Sequence, residues 1–178
     1  LERVNNTILG QTDVPLFVGQ ASTSAVTADG ERCRDNLFRA TANTAMTSRA
    51  GALSLAEDFD VDRVAMFGAE TSLGRDVLEN YGRIFDAEGI EVVVEEFVPV
   101  GQTEWAPQLT AAEEAGADVV IYGFTGQTGS FFAEEFVLGG YEMDAFGQAP
   151  SRLTFREIGR DVLGFLEQFG EEEITPRI

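Results

Sequence analysis

The residues best suited to chemistry in this sequence are short polar runs that follow apolar segments. The first is Gln20–Thr27, QASTSAVT, which comes after the apolar run Val14–Val18 and Gly19. Its hydroxyls and free backbone N–H groups are suited to hold a carboxylate, as the starts of helices often do. An ordinary capped turn would have the same composition, and that simpler interpretation stays open.

Two further loops carry side chains of the same kind. Glu70 and Ser72 follow the apolar run Arg63–Phe67. Thr125 precedes the glycine and hydroxyl run Gly126–Ser130, which is expected to be a loop. Because each follows a segment typical of a buried parallel strand, these residues are expected at strand carboxyl ends, where α/β proteins bind ligands. They could also serve as an acid and polar anchors in an enzyme completed elsewhere, or simply be solvated.

Residue types that are absent exclude several kinds of catalysis. The sequence contains no His, so this chain alone cannot build a Ser-His-Asp triad or a histidine zinc site. It contains no Lys, so it cannot form a phosphate-binding P-loop. The spacing of Gly123, Gly126 and Gly129 does not match GxGxxG. The sequence therefore predicts no catalytic residues, no enzyme activity and no cofactor.

A metal site is considered because acidic residues alternate at Asp58, Asp60 and Asp62. An EF-hand calcium loop starting at Asp58 would need Gly at the position of Arg63 and Glu at the position of Ala69. A solvated acidic turn is therefore favoured, and no metal site is predicted.

The charge of the chain limits its partners. It has 31 acidic and 12 basic residues, a formal net charge of −19, and every basic residue is Arg. This field repels nucleic acid and anionic lipid, so neither is expected as a partner. Acidic excess without lysine is also typical of proteins from salt-loving organisms, although an acidic protein from another source is the alternative. The only cysteine, Cys33, predicts no disulfide within the chain.

Neither a membrane helix nor a signal peptide is visible. No apolar run approaches the ~20 residues that span a bilayer. The segment Leu1–Val18 lacks the basic start and apolar centre of a signal peptide. The visible chain is not expected to insert directly into a membrane, and any signal or anchor lies outside what the sequence shows.

The stretch Val61–Val98 gives the clearest prediction of how the candidate residues are positioned. It reads as a strand at Arg63–Phe67, a loop at Ala69–Gly74, an amphipathic helix that ends at Gly89, and a strand at Ile90–Phe97. The apolar face of the helix consists of Val77, Leu78, Tyr81, Ile84 and Phe85. Two strands joined by a helix of this length favour a parallel βαβ unit with a right-handed crossover.

The rest of the chain repeats this pattern. Further strands are predicted at Val14–Val18, Asn36–Thr41, Ala117–Gly123 and Asp144–Phe146, and further helices at Asn43–Phe59, Ala106–Ala115, Phe131–Leu138 and Thr154–Phe169. Trp105 is expected to pack at the start of its helix, with ligand stacking as the alternative. The predicted fold class is α/β, a parallel sheet with helices on both faces.

The order of these segments resembles the substrate-binding proteins of branched-chain amino-acid and amide ABC transporters. The resemblance covers most of Val14–Gly147 and is carried by FR at Phe38–Arg39, LGRDV at Leu73–Val77 and GADVV at Gly116–Val120. It implies a two-lobed periplasmic-binding-protein fold of type I. Residues 1–40 would then be the end of the first lobe and a crossover, residues 41–146 the second lobe, and residues 147–178 the return. The chain would cover mainly the second lobe.

The resemblance also implies a set of ligand-binding residues. The ligand carboxylate would meet Ala21, Ser22 and Thr23, and the second lobe would add aromatic and polar contacts. Leu73 stands where the family often has Tyr, and Ala149 stands near the place of an acidic residue that pairs with a ligand ammonium. The candidates are Ala21, Ser22, Thr23, Glu70, Ser72, Leu73, Phe124, Thr125, Gly126 and Gln148.

The function implied is that of an extracytoplasmic solute-binding protein. It would capture a small polar ligand, such as an amino acid or amide, between two lobes and deliver it to an ABC transporter permease. A ligand-sensing receptor domain of the same fold is one alternative, and an α/β enzyme or nucleotide-binding module completed elsewhere is another. Permease and ATPase genes beside the coding sequence would favour the transporter.

Overall fold

A computed structural model describes residues 11–19, 21–24, 27, 34–59 and 61–147 of the 178-residue chain. The candidate residue Gln148, the predicted helix Thr154–Phe169 and Cys33 lie outside the described residues.

Strands and helices follow one another in the order that the sequence predicts. In the described part they are β1 Leu16–Val18, β2 Leu37–Arg39, α1 Thr44–Asp58, β3 Arg63–Ala69, α2 Ser72–Glu88, β4 Glu91–Val98, α3 Ala106–Glu114, β5 Val119–Gly123, α4 Gln127–Gly139 and β6 Asp144–Gly147. None of these helices is both long and apolar enough to cross a membrane.

The strands form two separate parallel sheets. β1 and β2 pair with each other, with Leu16 opposite Leu37. The other four strands form a sheet in the order β4-β3-β5-β6, and every neighbouring pair is parallel. Together with the helices between them, these pairings confirm the predicted α/β class.

The larger sheet is covered by helices on both faces because its central strand alternates between two apolar clusters. From β3, Val64 and Met66 pack with α1 and α2, whereas Ala65 and Phe67 pack towards α3 and α4. All four side chains have at most 1% of their surface exposed. Removing apolar surface from water on both faces is the main stabilising contribution to a sheet of this kind.

The predicted βαβ unit is confirmed at Val61–Val98, with a shorter first loop than expected. β3 continues to Ala69 and α2 begins at Ser72, so the loop contains only Glu70 and Thr71. Thr71 caps the helix, because its hydroxyl accepts a hydrogen bond from the Gly74 N–H at 3.1 Å. The helix ends as predicted at Gly89, whose φ of 79° favours glycine and whose N–H donates to the Phe85 carbonyl.

The expected loop at Gly126–Ser130 is also shorter than predicted. Only Gly126 lies outside the helix, because α4 begins at Gln127. Gly126 has φ 68° and ψ −142°, a conformation that is open almost only to glycine and that turns the chain directly into the helix. Thr128 and Gly129 are therefore buried helical residues.

Trp105 has a packing role, as predicted. Its ring is fully buried beside Phe124 and Phe132, with ring centroids 4.7 Å and 5.1 Å away. The indole Nε1 has no hydrogen-bond partner among the described residues. The aromatic group fills the space between α3, α4 and the sheet, and such ring pairs contribute about 0.5–1.5 kcal/mol each beyond their buried area.

Candidate functional site

Two of the predicted loops leave the same edge of the four-stranded sheet. In the pairing of β3 with β5, Gly68 lies opposite Gly123. Glu70 and Thr125, each two residues further along, therefore leave the sheet from neighbouring strands. Both side chains are exposed. The carboxyl ends of parallel strands form the edge at which open α/β sheets bind ligands.

The loop after β3 presents its polar residues at this edge and its apolar residue to the core. The Glu70 N–H donates to the Val98 carbonyl at 2.8 Å, which fixes the loop against the end of β4. Ser72, the first residue of α2, is exposed. Leu73 is partly buried and packs on the apolar cluster beneath α2.

The loop after β5 divides in the same way. Phe124 is 2% exposed and belongs to the aromatic group of Trp105 and Phe132, whereas Thr125 and Gly126 are exposed. Packing in the core explains the position of Phe124 in the structure. A contact between Phe124 and a ligand stays a prediction. Among the described residues no side chain caps the N-terminus of α4, which begins two residues after Thr125.

The third predicted loop is Gln20–Thr27, and its described part Ala21–Ser24 follows β1 and rests against the start of α1. The Thr44 N–H donates to the Ser22 carbonyl at 2.8 Å. Ala21, Ser22 and Thr23 are each partly buried. The Thr23 hydroxyl oxygen is buried and has no hydrogen-bond partner among the described residues.

Arg39 shapes this loop from β2. Its guanidinium donates to the carbonyl of Ala21, to the carbonyl of Thr23 at 2.8 Å and to the hydroxyl of Thr27 at 2.9 Å. The planar guanidinium suits this task, because its donors point in fixed directions to several acceptors at once. Arg39 is the second residue of the FR pair, and its role in holding this loop was not predicted from the sequence.

Asp76, in α2, holds the end of the same loop at Ser24. Its carboxylate accepts hydrogen bonds from Ser24, Thr44 and Asn80. Asp76 lies in the LGRDV stretch and was also given no role from the sequence. The available signal was that Arg39 and Asp76 are charged residues in two of the three motifs that carry the family resemblance.

A cavity of about 610 Å³ extends from this loop along the side of α1. Ser22 and Asn43 line one part of it, and Tyr81 and Phe146 line another. Burial, with a smaller contribution from Tyr122, raises the pKa of Tyr81 to about 12, so the phenol is neutral at ordinary pH. The cavity shares Ser22 with the predicted site but does not include Glu70 or Thr125.

No cluster of three or more His, Cys, Asp or Glu side chains that could hold a metal ion occurs in the part of the chain that the structure describes. In the acidic turn, Asp58 and Asp62 take part in hydrogen bonds within the protein. Ser54 donates to Asp58 at 3.0 Å, and the Asp62 N–H donates to Asp118 at 3.0 Å.

Comparison with known proteins gives one family and a consistent set of folds. The sequence pattern of a family described as "Periplasmic binding protein" matches residues 3–144. No curated protein matches the chain.

Three solved structures illustrate the likeness. A solute-binding protein of an ABC transporter from Rhodopseudomonas palustris BisB5, in complex with 3,4-dihydroxybenzoic acid, is 25% identical over 82% of this chain, with a TM-score of 0.69. An amino-acid ABC transporter substrate-binding protein from Pseudomonas fluorescens Pf-5 is 19% identical over 90% of this chain, with a TM-score of 0.75. A branched-chain amino-acid ABC transporter protein from Thermus thermophilus with bound valine is 16% identical over 82%, with a TM-score of 0.71. The matched parts are 39%, 43% and 37% of those proteins, so this chain spans about two fifths of their length.

Proposed function

Because this chain belongs to the periplasmic binding protein family, we propose that it is part of an extracytoplasmic solute-binding protein that captures a small carboxylate-bearing ligand for an ABC transporter. The observation that carries the proposal is the Ala21–Thr23 loop. All three of its carbonyls accept hydrogen bonds within the protein, those of Ala21 and Thr23 from Arg39 and that of Ser22 from the Thr44 N–H. The proposed ligand contacts of the loop are therefore its hydroxyl and N–H groups rather than its carbonyls.

The chemistry of the loop favours a carboxylate. Hydroxyl and N–H donors stabilise an anion without a buried cation, and the sequence has no Lys to supply an ammonium. Valine and 3,4-dihydroxybenzoic acid, the ligands named for two of the similar structures, share a carboxylate and little else. The ligand class proposed is therefore small carboxylates, including amino acids and aromatic acids.

The candidate residues of the second lobe would meet the rest of the ligand. Glu70, Ser72 and Thr125 are exposed polar side chains at one sheet edge, and they would approach the ligand when the lobes close. Leu73, Phe124 and Gly126 would shape the wall, and Gln148 follows the last described strand. The remaining ligand contacts are proposed to come from outside this chain, which spans only part of its relatives.

The lobe boundaries are proposed at the same positions as the sequence suggests: 1–40, 41–146 and 147–178. Their support is the separation of the two sheets. β1 and β2 form one sheet before residue 41, and the four-stranded sheet begins after α1. In this arrangement the Ala21–Thr23 loop belongs to one lobe, and Glu70 and Thr125 belong to the other.

A permease is the proposed partner, and the protein is proposed to bind rather than transform its ligand. A receptor's ligand-sensing domain would have the same fold. Neighbouring permease and ATPase genes would favour the transporter, and a fused signalling domain would favour the receptor.

A thermal-shift screen tests the proposed function. The full-length natural protein, in molar salt, is titrated with L-valine and with 3,4-dihydroxybenzoate, and L-valinamide and methyl 3,4-dihydroxybenzoate serve as matched controls without the carboxylate. A ligand of the native state raises the melting temperature with its concentration. We expect at least one acid to do so and its amide or ester counterpart, which lacks the carboxylate, to fail. Equal shifts with acid and control would refute carboxylate recognition.

A further inference from the structure

Asp76 is the meeting point of three segments of the chain. Its Oδ2 accepts from the Ser24 N–H at 2.6 Å and from the Thr44 hydroxyl. Its Oδ1 accepts from the Ser24 hydroxyl and from the Asn80 amide at 3.0 Å. Each carboxylate oxygen therefore receives two donors.

The donors to Asp76 are neutral. The salt bridges between described residues join Arg63 to Glu91 and Arg83 to Glu79, and neither involves Asp76. Hydrogen bonds to an ionised carboxylate are about twice as strong as those between neutral groups. A carboxylate with four such donors holds them in place more firmly than a neutral acceptor could.

The donors to Asp76 lie on separate segments of the chain, so that Asp76 connects these segments. Ser24 follows β1 of the smaller sheet, whereas Asp76 lies 52 positions later in α2, which packs on the larger sheet. Thr44, the first residue of α1, connects the two, because its hydroxyl also accepts from the Ser24 N–H at 3.1 Å. The loop is thus held by Arg39 at Ala21 and Thr23 and by Asp76 at Ser24.

We propose that Asp76 is a positioning residue for the ligand: it fixes the Ala21–Ser24 loop to α2, so that the loop is already in the geometry that binds a carboxylate. This inference rests on the proposed function. A loop ordered before binding loses less conformational entropy on binding, and affinity rises accordingly. Asp76 does not itself need to touch the ligand.

Asp76→Asn tests the inference with little change in shape. Asn has one carbonyl oxygen, so two of the four donors lose their acceptor in either orientation of the amide. The matched control is Asp86→Asn, which removes the same charge from an exposed position on the same helix. Both variants are made in the full-length natural protein.

Two measurements separate a positioning role from a purely structural one. Hydrogen–deuterium exchange reports on the loop without any ligand, and calorimetry with the acid that stabilises the wild type reports on affinity. In Asp76→Asn we expect exchange in residues 21–24 to be about tenfold faster or more, with exchange in β3 and β5 unchanged, since local opening and global unfolding are separable. We expect ligand affinity to fall about tenfold, because the loosened loop must then be ordered on binding. Asp86→Asn should stay within about twofold of the wild type in both.

Each other outcome overturns the inference in a distinct way. Unchanged exchange in residues 21–24 would show that Asp76 does not fix the loop. Faster exchange with unchanged affinity would show that fixing the loop is irrelevant to binding. A wild-type protein that binds neither valine nor 3,4-dihydroxybenzoate would refute the proposed function first, and with it the positioning role, whatever the loop does.

Discussion

A Cβ atom on Gly74 would lie 2.1 Å from the carbonyl oxygen of Ala69. The first turn of α2 therefore rests directly on the end of β3, with no space for a side chain. The loop between the two elements is only two residues long, and Ser72, the first residue of α2, follows it directly. Close packing against β3 thus explains why the LGRDV stretch has glycine at position 74.

Gly74→Ala should destabilise the fold by about 1–3 kcal/mol, because the new methyl group meets backbone that cannot move aside. Gly82→Ala, in the same helix, is the matched control. There a Cβ would meet only the Met66 Cε at 3.7 Å, an ordinary contact. Better helix propensity should make this variant more stable by up to about 1 kcal/mol. Urea unfolding of both variants measures the difference, and equal stabilities would contradict the close contact.

Folding should depend on salt, because 31 acidic residues against 12 Arg repel one another in a compact chain. Circular dichroism should show incomplete structure at low ionic strength and full structure in molar sodium chloride, which shortens the Debye length to about 3 Å. Sucrose, which stabilises by exclusion without screening, is the control. Full structure without added salt would remove the halophile interpretation.

Stability should decrease in strong alkali through Tyr81. The pKa of this phenol is 10.0 in its ordinary state and about 12 in the fold, chiefly because of burial. Between these values the native state keeps a proton that the unfolded chain releases, so the contribution is fully present below pH 10 and is lost as the pH rises through about 12. The loss amounts to about 2–3 kcal/mol.

Lys cannot contribute to this alkaline transition, because the sequence has none. Burial also raises the pKa of Tyr122, so a smaller decrease should remain after Tyr81→Phe. Urea midpoints from pH 9 to 12 for the wild type and this variant make the comparison. The same decrease in both would show that another group is responsible.

Local pattern was sufficient to predict the main elements. The spacing of apolar residues predicted the inner face of α2: Val77, Leu78, Tyr81 and Phe85 are buried, and Ile84, the fifth predicted residue, is partly buried. The end of that helix at Gly89 was likewise correct, because a left-handed C-cap depends on one residue type.

The hydrogen bonds that hold the candidate site could not be predicted from the sequence, because they join residues far apart in the chain. Asp76 and Ser24 are 52 positions apart, and Arg39 and Ala21 are 18 apart. Phe124 shows the same limit: its strand end was predicted, but its burial beside Trp105 depends on where α3 and α4 cross the sheet. The sequence showed the order of the motifs, but it did not show which residues of different motifs contact one another.

The most direct test of the central claim is calorimetric titration of a carboxylate ligand into the full-length protein and its Ser22→Ala and Thr125→Ala variants. Each variant should bind roughly two- to tenfold more weakly, as expected for one lost hydrogen bond of about 0.5–1.5 kcal/mol, while the empty protein melts at nearly the same temperature. Thr110→Ala, which removes an exposed hydroxyl from α3, should leave the affinity unchanged. Unaltered affinity in both Ser22→Ala and Thr125→Ala would contradict the account, because the ligand would then bind away from the edge that these two residues define.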